Sequence, residues 1–181
     1  MTGYQIKKAL DSFEIIIDTR EQATDKLTNR TKDFGCSYSR ATLDYGDYTF
    51  NVTYPDGSKL YDISERVKPK VVIERKLNLD ELAMCLGSGR NRFIKEFERA
   101  KENGASVYLL VENGSWDDII SDKYRSWMDT RTFMGNLTML QARYDIKIVF
   151  VNDYNSGIVI KNILYHEAVE MIRREESKWQ V

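Results

Sequence analysis

The chain has 181 residues, a formal net charge of −1 at pH 7, 42% hydrophobic and 12% aromatic residues, 10 Gly and 2 Pro. That length suits one domain, and the composition supports a packed core while excluding collagen-like, low-complexity and wholly disordered chains. No apolar run approaches the roughly 18 residues of a membrane helix, and residues 1–12 lack the apolar stretch of a secretory signal, so the expected location is intracellular with no membrane association.

Residues 1–12 read as an N-terminal extension and 177–181 as a tail, around one domain at 13–176. The near-continuous apolar run at 13–18 (FEIIID) predicts a strand buried on both faces. A polar, helix-compatible segment extends to Phe34 and stops at Gly35. Stretches 37–43 and 46–54 alternate with period two and read as strands of a β-meander. Pro55-Asp56-Gly57-Ser58 is a turn from which 59–64 can pair back as a hairpin arm, and 71–76 predicts another strand. Asn78 is placed to cap a helix through Leu79, Leu82, Ala83 and Leu86, which Gly87-Ser88-Gly89 breaks. A second helix at 90–102 sets Phe93, Phe97 and Ala100 on one face and ends at Asn103-Gly104. A buried strand at 106–112, helical pieces at 116–124 and 130–144, a last strand at 146–151 and a closing helix at 156–176 complete the chain. The order is that of an α/β fold, a mixed sheet flanked by helices on both sides.

Charged side chains fall at the ends of these strands, where a fold can hold reacting groups still. Asp18-Thr19-Arg20-Glu21 closes the first strand, Gly46-Asp47-Tyr48 opens another, Glu74-Arg75-Lys76 closes a third, and Asp80 lies one turn into the next helix. An acid on each of two strands, with a lysine two residues past the second and on its face, is what a divalent-ion phosphodiesterase requires. Hard oxygens hold Mg²⁺, and the ammonium orients the attacking water or meets the scissile phosphate. A Glu-x-Lys alone arises by chance in most charged chains, so the ordered conjunction carries the signal.

Two cysteines 49 positions apart, Cys36 and Cys85, and a lone His166 on a helical stripe build neither a redox pair nor a zinc site. Between Glu65 and Lys101 ten Lys or Arg face six Asp or Glu, giving +4 in a chain of −1. Such asymmetry suits a local phosphate-binding face with Arg90, Arg92 and Lys95 as DNA contacts, although Lys95, Arg99 and Lys101 equally suit a solvated helix face. Tyr48, Tyr54 and Tyr61 could stack on bases but read better as core, and Trp116 and Trp127 as packing between residues 112 and 130.

IIIDTRE at 15–21, TLDYGDYTF at 42–50 and VVIERKLNLD at 71–80 together resemble the nuclease domain of the xeroderma pigmentosum group F (XPF) family of structure-specific endonucleases. The resemblance is to a standalone form, without helix-hairpin-helix or helicase domains. It implies a restriction-endonuclease-like fold and Mg²⁺- or Mn²⁺-dependent cutting of branched, flap or junction DNA in repair, recombination or replication. It also implies Asp47 and Glu74 as principal metal ligands, with the Arg75 carbonyl and the Asp18 carboxylate beside them. Lys76 would position or activate the water, Arg20 and Arg75 would hold phosphate or the motif's own carboxylates, and Asp80 would anchor Arg75 or Arg20. Glu21 joins the motif without a role of its own. A homodimer is implied, for which Ile160, Ile163 and Leu164 could supply a surface unless that stripe covers the sheet. The 26 residues between Asp47 and Glu74 exceed the family's short connection and mark 54–70 as a hairpin insertion. Two other readings stay open: a catalytically silent DNA-binding module or partner subunit of the same fold, and a junction resolvase or restriction-like nuclease on duplex DNA.

Overall fold

The computed structural model describes residues 3–178. Six strands form one sheet in the order β2-β1-β3-β4-β5-β6. They are β1 (Glu14–Asp18), β2 (Ser37–Ala41), β3 (Tyr48–Asn51), β4 (Val71–Lys76), β5 (Ser106–Glu112) and β6 (Lys147–Val151). The helices are α1 (Gly3–Asp11), α2 (Asp25–Lys32), α3 (Leu79–Leu86), α4 (Arg90–Glu102), α5 (Trp116–Ile120), α6 (Thr130–Tyr144) and α7 (Ser156–Lys178), with a single 3-10 turn at Asp153–Asn155. No helix of the described residues is long and apolar enough to cross a membrane.

The sheet is mixed. β1 and β2 run parallel, β3 is antiparallel to both β1 and β4, and β4, β5 and β6 run parallel. The expected β-meander is therefore corrected: α2 carries the chain from β1 to a parallel β2, and β1 lies between β2 and β3. Period two still governs where side chains point, because Val72 and Leu109 face one helical layer while Val71, Ile73 and Leu110 face the other. With both faces covered, the strands read as apolar runs. One core joins β4 and β5 to α3, α4 and α6 through Leu82, Phe93, Phe97, Phe133 and Leu137. The opposite core joins β1, β3 and β4 to α1, α2 and α7 through Ala9, Leu27, Ile160, Leu164 and Ala168. The stripe of Ile160, Ile163 and Leu164 thus packs on the sheet, which settles its role as cover.

Several expectations change. Within the stretch read as an N-terminal extension, Gly3–Asp11 form α1, whose Ala9 is fully buried. All four β3 residues are buried, so its alternation is no mark of a solvent face. The residues after β3 explain this. Tyr61, Ile63 and Val67 pack with Ile16, Ala41 and Leu43, and Asn51 exchanges hydrogen bonds with the backbone of Tyr61 at 3.0 Å in each direction. The arm expected at 59–64 reduces to a single antiparallel bridge between Thr53 and Lys59, with Asp56 and Asp62 capping tight turns onto Ser58 and Ser64. The closing helix runs on to Lys178, and residues 179–181 of the expected tail lie outside the described residues. Trp116 stacks edge-on against Phe150, but Trp127 is fully exposed at 104%. Cys36 and Cys85 are free and half-buried.

Candidate active site

The first carboxylate is placed by a tight crossing. Gly46 adopts φ +73°, and a Cβ there would lie 2.1 Å from Val72 Cγ2, so only glycine lets the chain pass β4 this closely. Asp47 is then pinned between two strands: its N–H donates to Ile73 O at 2.9 Å and its carbonyl accepts from Asp18 N at 2.8 Å. Its side-chain Oδ2 accepts the Arg75 N–H at 2.7 Å.

Glu74 and Lys76 project from the same face of β4, as a spacing of two requires, and both are buried. The Lys76 ammonium donates to Glu74 Oε1 at 2.5 Å and lies 5.0 Å from the Phe93 ring centroid. Asp47, Glu74 and Lys76 line a cavity of about 220 Å³ together with Glu21, Glu81 and Glu96 and the cations Arg20, Arg75 and Arg92. Burial, then repulsion from Glu74, pushes the Asp47 carboxyl well above the usual carboxylate range, against the pull of Lys76. Burial likewise raises Glu74, with Lys76 opposing. Lys76 loses to burial but gains more from Glu74 and Asp47, so its ammonium is held charged. The cavity therefore concentrates negative charge that the protein only partly offsets.

Other motif residues sit differently from expectation. The Asp18 carboxylate is fully buried and saturated. Oδ1 accepts the Arg20 backbone N–H and Nε, both at 2.7 Å, and Oδ2 accepts Leu43 N at 2.8 Å and Arg20 Nη2 at 3.2 Å. It orients Arg20, which lines the cavity, and is not itself part of the lining. Asp80 accepts Arg125 N at 2.6 Å in place of anchoring Arg75 or Arg20. Arg75 is held instead by Glu21 Oε1 at 3.1 Å and Glu112 Oε2 at 3.2 Å. Burial alone would raise Glu21, but Arg75 and the Tyr48 hydroxyl outweigh it and keep that carboxylate ionised.

The basic stretch is partly spent on the protein itself. Arg66 and Arg99 pair with Asp44, Lys70 and Lys101 donate to the Asn103 and Arg143 carbonyls, and Arg90 is bound to Asn136 Oδ1. Arg92 reaches the cavity, and Lys95 is exposed on α4. Tyr48 is core, and the Tyr61 hydroxyl accepts Lys70 N at 2.7 Å. Sequence reading missed Glu112, Arg30 and the Tyr48 hydroxyl. Glu112 carried the same signal as Asp18 and Glu74, an acid closing a buried strand, whereas Arg30 on a short polar helix carried none.

Comparison with known proteins bears on the fold. Similar solved structures include XPF from Aeropyrum pernix, with TM-score 0.60 and 20% identity over 85% of this chain and 61% of that one, and XPF from Aeropyrum pernix in complex with DNA, with TM-score 0.57 and 18% identity over 90% and 66%. The chain thus spans less than two thirds of each, and the likeness is one of fold. No curated protein matches. The model of the ERCC4 domain family matches residues 17–163, a span that opens in β1 and takes in Asp18, Asp47, Glu74, Lys76 and every strand of the sheet. A match over that much of the chain, on the fold just described, makes this protein a member of the ERCC4 domain family.

Proposed function

We propose that this chain is a metal-dependent endonuclease that hydrolyses phosphodiester bonds in branched, flap or junction DNA. The observation that carries the reading is the convergence of Asp47, Glu74 and Lys76 on one cavity, with two crowded carboxylates pushed up by burial and, at Asp47, by the neighbouring Glu74. Family membership and the DNA complex of the similar XPF from Aeropyrum pernix support it. The donor set fits Mg²⁺ or Mn²⁺. Among the described residues no group of three His, Cys, Asp or Glu is placed to hold one metal ion together, and Mg²⁺ commonly takes one or two carboxylates and keeps several waters. Asp47, Glu74 and the Arg75 carbonyl would hold the ion, which when bound supplies a water of lowered pKa and charge to offset the scissile phosphate.

The protein's own groups do the rest. Lys76 sets a positive charge beside Glu74, where it orients the attacking water or meets the phosphate. Arg20, steadied by Asp18, and Arg92 hold flanking phosphates at the cavity mouth. Asp18 takes the part of organiser here, not ligand. The test is cleavage of labelled flap, fork, four-way-junction and linear DNA with Mg²⁺, Mn²⁺ or EDTA, by wild type and Glu74→Ala. Metal-dependent cutting of branched DNA by wild type alone is expected. Binding without cutting would move the protein to a silent module, and equal cutting of linear duplex would move it to a restriction-like nuclease.

A further inference from the structure

Behind the cavity runs a closed ring of hydrogen bonds, much of it outside the motif. Arg30 on α2, 4% exposed, donates Nη1 to the Tyr48 hydroxyl at 2.9 Å and Nη2 to Glu112 Oε1 at 2.8 Å. The Tyr48 hydroxyl donates to Glu21 Oε1 at 2.7 Å, and Arg75 Nε donates to the same oxygen at 3.1 Å. Arg75 Nη1 then closes the circuit on Glu112 Oε2 at 3.2 Å. Two guanidinium groups and two carboxylates balance, so no buried charge is left uncompensated.

The anchor of the ring is built in with some care for space. A Cβ on Gly157 would lie 2.3 Å from the Arg30 carbonyl, so glycine lets the start of α7 press on α2, and the neighbouring Ser156 Oγ accepts Arg30 Nε at 3.1 Å. Asp47 sits between two ring members. Tyr48 follows it in sequence, and Arg75 donates its backbone N–H to Oδ2 at 2.7 Å.

We infer that Glu112 and Arg30 are positioning residues for the cutting site: they hold the Arg75 guanidinium away from Asp47 and Glu74 and so keep those carboxylates free for a divalent cation. This rests on the reading of Asp47 and Glu74 as metal ligands. The physical reason is competition. Arg75 lines the same cavity as Asp47 and Glu74, and so does Glu21, the partner it keeps, so an Arg75 released from Glu112 is free to turn toward those carboxylates. A guanidinium seated there would occupy the oxygens that a cation needs, and its fork suits carboxylates well.

The test is Mn²⁺ affinity, read by electron paramagnetic resonance of the free ion, beside single-turnover cleavage of flap DNA. Glu112→Gln removes one acceptor of the ring. It is expected to weaken Mn²⁺ binding and slow cleavage together by about 10- to 100-fold, the range typical of partners behind metal ligands, with flap affinity in Ca²⁺ unchanged. Arg30→Met with Glu112→Leu fills the buried pair with apolar volume and is expected to recover thermal stability but neither Mn²⁺ affinity nor rate. Variants that fold and bind Mn²⁺ like wild type overturn the inference. So does a double variant that regains Mn²⁺ affinity with its stability, since the ring would then serve only the fold. A wild type that binds no Mn²⁺ sinks the metal reading and this inference with it, whereas binding by wild type and variants alike sinks this inference alone.

Discussion

At Gly46 the absence of a side chain decides where Asp47 sits. Any Cβ there combines a left-handed φ of +73° with a 2.1 Å approach to Val72 Cγ2. Gly46→Ala is expected to lower unfolding free energy by about 1–3 kcal/mol and slow cleavage more than about tenfold, since a 1 Å misplacement of reacting groups is costly. Urea denaturation and single-turnover rates check both, and a destabilised variant with wild-type rate would separate the crossing from the chemistry. Residue types were legible at this scale: Asp47, Glu74 and Lys76 meet in one cavity, as their motif suggested. Side-chain direction was not. Asp18 ends a strand and Glu74 lies two residues from the end of another, yet Asp18 turns to Arg20 and Leu43, because nothing in a local pattern tells which donors the fold will bring to a carboxylate.

Among the elements, β4, β5, α4 and α6 begin and end where their patterns placed them, since glycines, asparagines, capping residues or a proline punctuate most of their ends. Pairing was less legible. The parallel partnership of β1 and β2 and the docking of α1 depend on faces that no single segment displays. The clamp between α7 and the β5–β6 edge is another such product. Tyr108 donates its hydroxyl to Glu167 Oε1 at 2.6 Å, and Lys147 Nζ reaches the same oxygen at 3.1 Å. Burial would raise Glu167, but these two donors outweigh it and hold the carboxyl below its ordinary 4.5. A lowered folded-state pKa contributes stability that is present above the unfolded value and is lost as pH falls through the folded one. Wild type should therefore melt higher than Glu167→Gln at pH 7, and the gap should close below pH about 4. The Lys147 side chain of the pair is 45% exposed, so solvent screens the interaction and the gap is expected to be small. A constant gap from pH 7 to pH 3, followed by thermal melting, would show that the clamp acts through shape and not charge.

For the molecule as a whole, the segment after β3 is a structural cover. It lays Tyr61, Ile63 and Val67 over Ile16, Ala41 and Leu43, and it satisfies Asn51 inside the sheet's shadow. Replacing 55–64 with a short Gly-Ser linker should thus lower the melting temperature by at least several degrees while leaving flap-DNA affinity in Ca²⁺ near wild type. A stable deletion variant with weakened DNA binding would instead make this segment a DNA contact.

Asp47 and Glu74 come from opposite sides of the seam between β3 and β4, a seam with a single ladder pair, Tyr48 with Ile73. Asp47 belongs to the part of the chain built first, and Glu74 to the parallel unit that continues through β5 and β6. A chain cut between Asp47 and Glu74 carries one acid on each piece. Under the proposed endonuclease reading, the cutting centre exists only while the two sides of this seam stay closed on each other, and a break that lets them part takes it away.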